Sequence, residues 1–556
     1  MSPHEALASL ADRYWDAWLS AHPTSGTALG DRRYDDRLDP IGTDADAARE
    51  RELRAFQAEL AELRAGLETD DDRLTASDLD SRLRGEVDLL AADRHAYTVD
   101  PLAGPQVEFL NLATIQGAAA AEERRVMLAR WRAMPAWIEA LGTEHRRGLR
   151  EERPPPRALV ERVIGEVDDI LARPAAEWPL AEPGRASEDR AFGEAILAVV
   201  ADEIRPAFAR YRDLLADELR PAARDDDHVG LSHLARGSEI YAGLSRAHTT
   251  TDLSPDALHE LGHREIERID AEFVDLGRRI LGTRDLAGTL ARLRDDPALR
   301  FTAREEVFEA ARRMLERANA AIPAWFGRLP RTPCEVVVMQ PHEEKHSTIA
   351  YYREPASDGS RPGRYYINTS EPETRPRYEA ETLAVHEAVP GHHLQIAIAQ
   401  ELDHLPAFRR LWGSTAFIEG WGLYTERLAD EMGLYSGDPD RFGILSFDAW
   451  RASRLVVDTG MHALGWSRPQ AITFMLEHTA LAPNNVANEV DRYITWPGQA
   501  LAYKVGQLEL LRLRADTKAR LGRAWDVGRF HDAVLGEGAL PLDVLRASVE
   551  RQLGIA

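Results

Sequence analysis

The stretch Tyr378–Gln400, YEAETLAVHEAVPGHHLQIAIAQ, limits what this chain can fold into more than any other. His386, Glu387, His392 and His393 lie between uncharged, mostly aliphatic flanks, LAV before and LQIAIA after. Such flanks belong in a core, and buried polar side chains there need partners. The flanks read as helix, but Pro390-Gly391 interrupts them: proline removes a backbone donor and clashes with the preceding turn, and glycine relaxes the dihedral limits. In an unbroken helix, at about 100° per residue, neither i+6 nor i+7 could share an ion with His386. If two residues bulge out at the Pro-Gly step, His392 takes the i+4 place on the face of His386. His393 is the reserve ligand, or else a contact to a ligand's partner or to substrate.

Twenty-seven positions after His392 comes Glu419, in the second helical run AFIEGWGLYTERLADE. Two histidines and a glutamate, with Glu387 directly after the first histidine, are the parts of a hydrolytic zinc site. Three ligands hold the ion, a fourth position is left for water, and a carboxylate takes the water's proton. The bland reading, satisfied core histidines beside a kink, leaves Glu419 and the apolar flanks unexplained. Glu426, seven residues past Glu419 on the same helical face, is placed either to hydrogen-bond a ligand histidine or to form a surface ion pair.

With these motifs the chain resembles the bacterial proteins grouped as domain of unknown function 885, which share HExxPGHHLQ and EGWxLYxE. The resemblance extends from AHPTSGTALGDRRYDDRL through HTTTDLSPDALHELG to RYITWPGQALAYKVG. It implies a zinc peptidase with a mostly helical fold akin to neurolysin-like and carboxypeptidase-like enzymes. It also implies that a C-terminal tyrosine or histidine holds the oxyanion, with Tyr503 the first choice and Tyr493 the second. Arg492, near the same Pro-Gly turn, could clamp a substrate carboxylate bidentately.

The remaining sequence sets bounds. The 556 residues are ample for a large core, and 69 basic against 93 acidic residues give a net charge of −24. That balance argues against nucleic acid or an anionic membrane surface as partner. The single cysteine, Cys334, excludes an intramolecular disulfide and a cysteine-rich zinc set. The opening MSPHEALASLADRYWDAWL has no basic segment followed by an apolar one, and no window approaches a membrane span. A cytoplasmic protein is expected.

Alanine, leucine, arginine and glutamate favour helix almost throughout. The expectation is a mainly α fold, one unit over 1–556, with a helical N-terminal lobe (1–330) and a catalytic lobe (331–556). Arg173–Arg185, rich in proline, glutamate and alanine, reads as a flexible surface connector. Cys334–Gln340, Thr348–Tyr352 and Arg364–Asn368 read as strands of a small antiparallel sheet beside the metal helix. There a strand can pair with a substrate backbone, and Tyr365 and Tyr366 are its candidate substrate contacts.

A literal H-E-x-x-H occurs earlier, at His259 and His263. Leu258, Leu261, Ile266, Ile269 and Phe273 form that helix's apolar stripe, and four charged residues follow His263 directly. A partly solvated helix is a poor place for catalytic zinc, which needs a dry cavity, so this match reads as an accidental surface one. Asp458 and His462, polar in an otherwise apolar run, need partners and could face the site.

The resulting expectation is amide hydrolysis with one zinc ion, held by His386, His392 and Glu419, with Glu387 as general base on short peptides. A non-peptidic amide or ester hydrolase would use the same site. A non-catalytic metal- or peptide-binding protein would have no need of Glu387.

Overall fold

Residues that lose little side-chain freedom in a helix fill the first half of the chain, and long capped helices result. The first, Pro3–Ala21, opens on a capping box: the Ser2 hydroxyl accepts from the Glu5 N–H, and the Glu5 carboxylate accepts from the Ser2 N–H. The computed structural model describes residues 2–340, 344, 349–356 and 361–555. They form a mainly helical fold with one small sheet.

Helices Pro3–Ala21, Thr43–Arg64 and Asp70–Ala91 close a core around Leu10, Trp18, Leu53 and Leu79, which Phe408 enters from the other end of the chain. A second core lies between residues 99 and 223, around Trp131, Trp178 and Phe208. Trp178 and Leu180 come from the segment expected to be a flexible connector. It folds instead into short helical turns, because both side chains are buried and Trp131 Nε1 donates to the Leu180 carbonyl at 3.0 Å.

Numbering starts from the first helix that bears on the site. The helices are α1 (Gly237–Thr249), α2 (Pro255–Ile280), α3 (Arg304–Ala321), α4 (Arg377–Glu387), α5 (His392–Gln400), α6 (Thr415–Glu431), α7 (Arg441–His462), α8 (Pro483–Thr495) and α9 (Leu501–Leu521). The largest core joins Tyr241 of α1, Leu258 of α2 and Met314 of α3 to Val385 of α4, Trp421 of α6 and Leu510 of α9. Residues on both sides of position 330 therefore share one apolar interior.

The strands are β1 (Cys334–Val338), β2 (Ala350–Arg353) and β3 (Gly363–Ile367), in the order β1-β3-β2. β3 pairs antiparallel with β2 but parallel with β1, with Cys334 opposite Gly363. The sheet is mixed rather than antiparallel because β3 returns between the two earlier strands instead of adding outside them. Thr348, expected to begin the second strand, lies outside the described residues.

Glycine brings α6 and α9 together. A Cβ on Gly420 would lie 2.4 Å from the Gly506 carbonyl carbon, and one on Gly506 would lie 1.8 Å from the Ala416 oxygen. The backbones touch where the helices cross, one residue from Glu419. Gly506→Ala should therefore lower the free energy of unfolding by about 1–3 kcal/mol, measured as the urea midpoint. An unchanged midpoint would mean that the helices separate freely.

Candidate metal centre

α4 ends at Glu387 and α5 begins at His392, so the Pro-Gly step breaks the helix instead of bulging within it. The Gly391 N–H still bonds the Val385 carbonyl at 3.0 Å, and a Cβ on Gly391 would lie 2.0 Å from the His386 oxygen. Only glycine lets the chain double back this tightly, and the turn brings the rings of His386 and His392 to 4.6 Å between centres, nearly perpendicular.

The EGWG of α6 closes the third side. Glu419 supplies the carboxylate, and the Trp421 Nε1 donates to the Pro390 carbonyl at 2.9 Å, tying α6 to the break. Gly422 leaves room for the imidazole, since a Cβ there would lie 2.6 Å from His386 Cε1. Glu419 Oε2 stands 3.6 Å from Nε2 of His386 and 3.6 Å from Nε2 of His392. One ligand atom from each of the three residues lies within 4.8 Å of the others. Donors around a tetrahedral zinc with bonds of about 2.0–2.1 Å lie roughly 3.4 Å apart, so these residues fit such an ion with little movement.

His386 Nδ1 lies 2.8 Å from Glu426 Oε1, a buried contact and not a surface ion pair. Nδ1–H donates to Glu426, so Nε2 is the nitrogen that faces Glu419 and His392 and would give its lone pair to an ion. Burial opposes charge on His386, yet Glu419 and Glu426 raise its pKa to about 9. Burial, followed by the charge of His386, lowers His392 to about 4. Burial works against Glu419 as well, but the two histidines and Arg454 bring it down to about 2.

Glu387, next in sequence to His386, is half-buried. Burial first, then Glu419, raises it to about 7 against His386, Arg451 and the nearby Tyr352 backbone. β2 thus lies near the residue that follows the first histidine. Tyr365 and Tyr366 point to opposite faces of β3. Tyr365 is fully buried with an unpartnered hydroxyl in the field of Glu387, whereas Tyr366 stacks on Tyr351 at 4.9 Å.

Three expected contacts lie elsewhere. His393 turns away from the cluster: Nε2 donates to the Thr332 carbonyl and Nδ1 accepts from the Tyr352 hydroxyl, both at 3.0 Å, so neither nitrogen is available. The Tyr493 hydroxyl is spent on Glu489 at 2.7 Å, Arg454 at 3.0 Å and Trp450 at 3.1 Å. Arg492 directs its fork at the protein's own Glu489 and donates from Nη1 to Gln499. Tyr503 is half-buried, lies 4.2 Å beneath the Arg454 guanidinium, and has its pKa raised by burial and by Glu419.

Asp458 and His462 support the scaffold. Asp458 accepts from the Tyr241 hydroxyl at 2.5 Å and the Gly498 N–H at 3.0 Å, while His462 bridges the Leu231 N–H and the Tyr493 carbonyl. The earlier H-E-x-x-H is not the surface match expected. Gly262 lets α2 lie against Val456 of α7, burying His259, whose Nδ1 bonds Thr459 Oγ1 at 2.8 Å. Its Nε2 faces that of His263 at 3.1 Å, and no third metal-binding side chain joins them among the described residues. Sequence reasoning passed over Arg451 and Arg454, whose only signal was two cations in an otherwise apolar run.

Residues 23–549 match the family described as "Bacterial protein of unknown function (DUF885)". No curated protein matches the sequence. The crystal structure of a "putative lipoprotein" from Colwellia psychrerythraea is 26% identical, with all of both chains covered and a TM-score of 0.91. A "putative lipoprotein of unknown function" from Shewanella oneidensis is 17% identical over 97% of this chain and 99% of that one, with a TM-score of 0.77, a likeness of fold alone.

Glu426→Ala should weaken zinc binding by about 10–100-fold through the loss of its bond to His386, read by competition with a chromogenic chelator. Undiminished affinity would show that Glu426 does not orient the ring.

Proposed function

The chain belongs to the bacterial DUF885 family of unknown function, and we propose that it is a zinc-dependent hydrolase that cleaves amide bonds of short peptides. One observation carries the reading: two imidazole nitrogens and a carboxylate oxygen converge within 4.8 Å, with a second, half-buried carboxyl next in sequence to one of them. Three ligands leave a tetrahedral ion one open position, and the set contains no cysteine, unlike most structural zinc sites. A bound zinc would acidify water and polarise the scissile carbonyl.

The chain's own residues supply the rest. Glu387, with a pKa near 7, can accept a proton from water and return it to the leaving amine. The Tyr352 backbone and the charges of His386 and Arg451 keep its carboxyl from rising further and so partly ionised. Glu426 holds Nδ1 of His386 and so aims Nε2 at the cluster. Tyr503, beside Glu419, is the donor available for the oxyanion, since the Tyr493 hydroxyl is engaged; such a donor is typically worth about 3 kcal/mol of barrier. His386 and His392 are only 2% and 8% exposed, which favours short, flexible substrates over folded proteins.

Among the described residues no helix is long and apolar enough to cross a membrane. A cytoplasmic place of action agrees with the single cysteine. The two similar structures are described as lipoproteins, and cell fractionation decides between cytosol and membrane.

Glu387→Gln should keep its zinc and lose about 10²–10⁴-fold in kcat. Metal analysis and mass-spectrometric cleavage of a peptide library measure the two halves. Full turnover in that variant would sink the assignment.

A further inference from the structure

Arg451 and Arg454 stand one turn apart on α7, which packs against α4 and α6, at 5% and 3% exposure. Arg454 is mostly satisfied. Its Nε donates to the Tyr493 hydroxyl and its Nη2 to Glu489, both at 3.0 Å, while its Nη1 is buried without an acceptor. Arg451 has less. Its Nε and Nη1 are buried without acceptors, and the guanidinium makes no hydrogen bond or ion pair among the described residues. Aromatic rings alone hold it, with the centres of Trp450 and Phe447 at 4.2 and 4.5 Å.

A guanidinium keeps its charge at any ordinary pH, and a buried cation without an anion is among the costliest arrangements in a protein. The nearby carboxylates are already engaged, save one oxygen of Glu426. Glu489 serves Arg454, Arg492 and Tyr493; Glu419 belongs to the ligand cluster; Glu426 holds His386. Glu426 exerts the strongest attraction on Arg451, but it forms no ion pair with it and leaves its own Oε2 unpartnered. α7 packs against α4 and α6, which carry Glu387 and Glu419, and the charge of Arg451 acts on both and on His392.

We propose that Arg451, aided by the free Nη1 of Arg454, binds the C-terminal carboxylate of a short peptide, so that cleavage falls close to that end. A planar fork with unfilled N–H groups matches a carboxylate's two oxygens. Hydrolysis adds the oxygen of water to the scissile carbonyl and a proton to the departing amine, releasing the terminal fragment. The cleavage rests on the hydrolase reading above; the recognition does not. An aspartate or glutamate side chain offers the same chemistry, and the test separates the two sources.

N-acetylated tetrapeptides would be made as free acids and as carboxamides, with and without acidic residues, and equilibrated with the zinc-loaded full chain. Retained peptides are read by mass spectrometry after ultrafiltration, and products after longer incubation. The free acids should be retained in preference and cut roughly 100-fold more efficiently than the carboxamides, whether or not they contain acidic residues. Arg451→Gln and Arg451→Lys should bring the acid-to-amide ratio towards one while keeping their zinc. Selective retention without cleavage would uphold the recognition and end the hydrolase reading. Cleavage of acids and amides alike would do the reverse, leaving Arg451 only to balance Glu426. Preference for acidic side chains irrespective of the terminus, or retention of neither form, would overturn the proposal.

Discussion

The site depends on how closely α6 can press against the break between α4 and α5. Trp421 bonds the Pro390 carbonyl, Gly422 admits the His386 ring, and Gly420 meets Gly506 of α9 almost backbone to backbone. Each contact tolerates little change, because a packed interior gives way by fractions of an ångström. The same approach carries Glu419 to within 3.6 Å of both imidazoles. Packing of uncharged groups thus fixes the distances on which metal chemistry would depend.

Behind this apolar clamp lies a buried ionic frame. Asp448 of α7, 1% exposed, accepts from Arg268 of α2 and Arg427 of α6 and pairs with Lys504 of α9. Four helices are tied at one carboxylate, whose three cations hold it far below its ordinary pKa in spite of burial. Removing one partner from such a group typically costs about 3–5 kcal/mol. Arg451 lies one turn further along α7, where no such anion awaits it. The contrast between the two ends of this turn marks Arg451 as the unsatisfied member.

Much of the architecture was legible because helix-forming residues and their caps act locally. Elsewhere local composition misled. Arg173–Arg185 has the proline and charge of a loop, but Trp178 outweighs them by filling the core around Trp131. The strands could be located from β-branched and aromatic runs, yet whether β3 lies outside β2 or between its predecessors depends on long-range pairing. His259 looked solvated because charged residues follow His263; the small size of Gly262, which admits α7, decided otherwise.

The sequence by itself determined the kinds of group available: two histidines flanking a forced helix break, a glutamate beside the first, and glycines wherever chains must touch. Those are covalent and steric facts, complete before folding. Only the tertiary structure decided that His392 and not His393 faces Glu419, that Tyr493 and Arg492 are spent on Glu489, and that Arg451 keeps unfilled donors. Each of those outcomes depends on which distant helix supplies the neighbouring partner, and no local pattern encodes that choice.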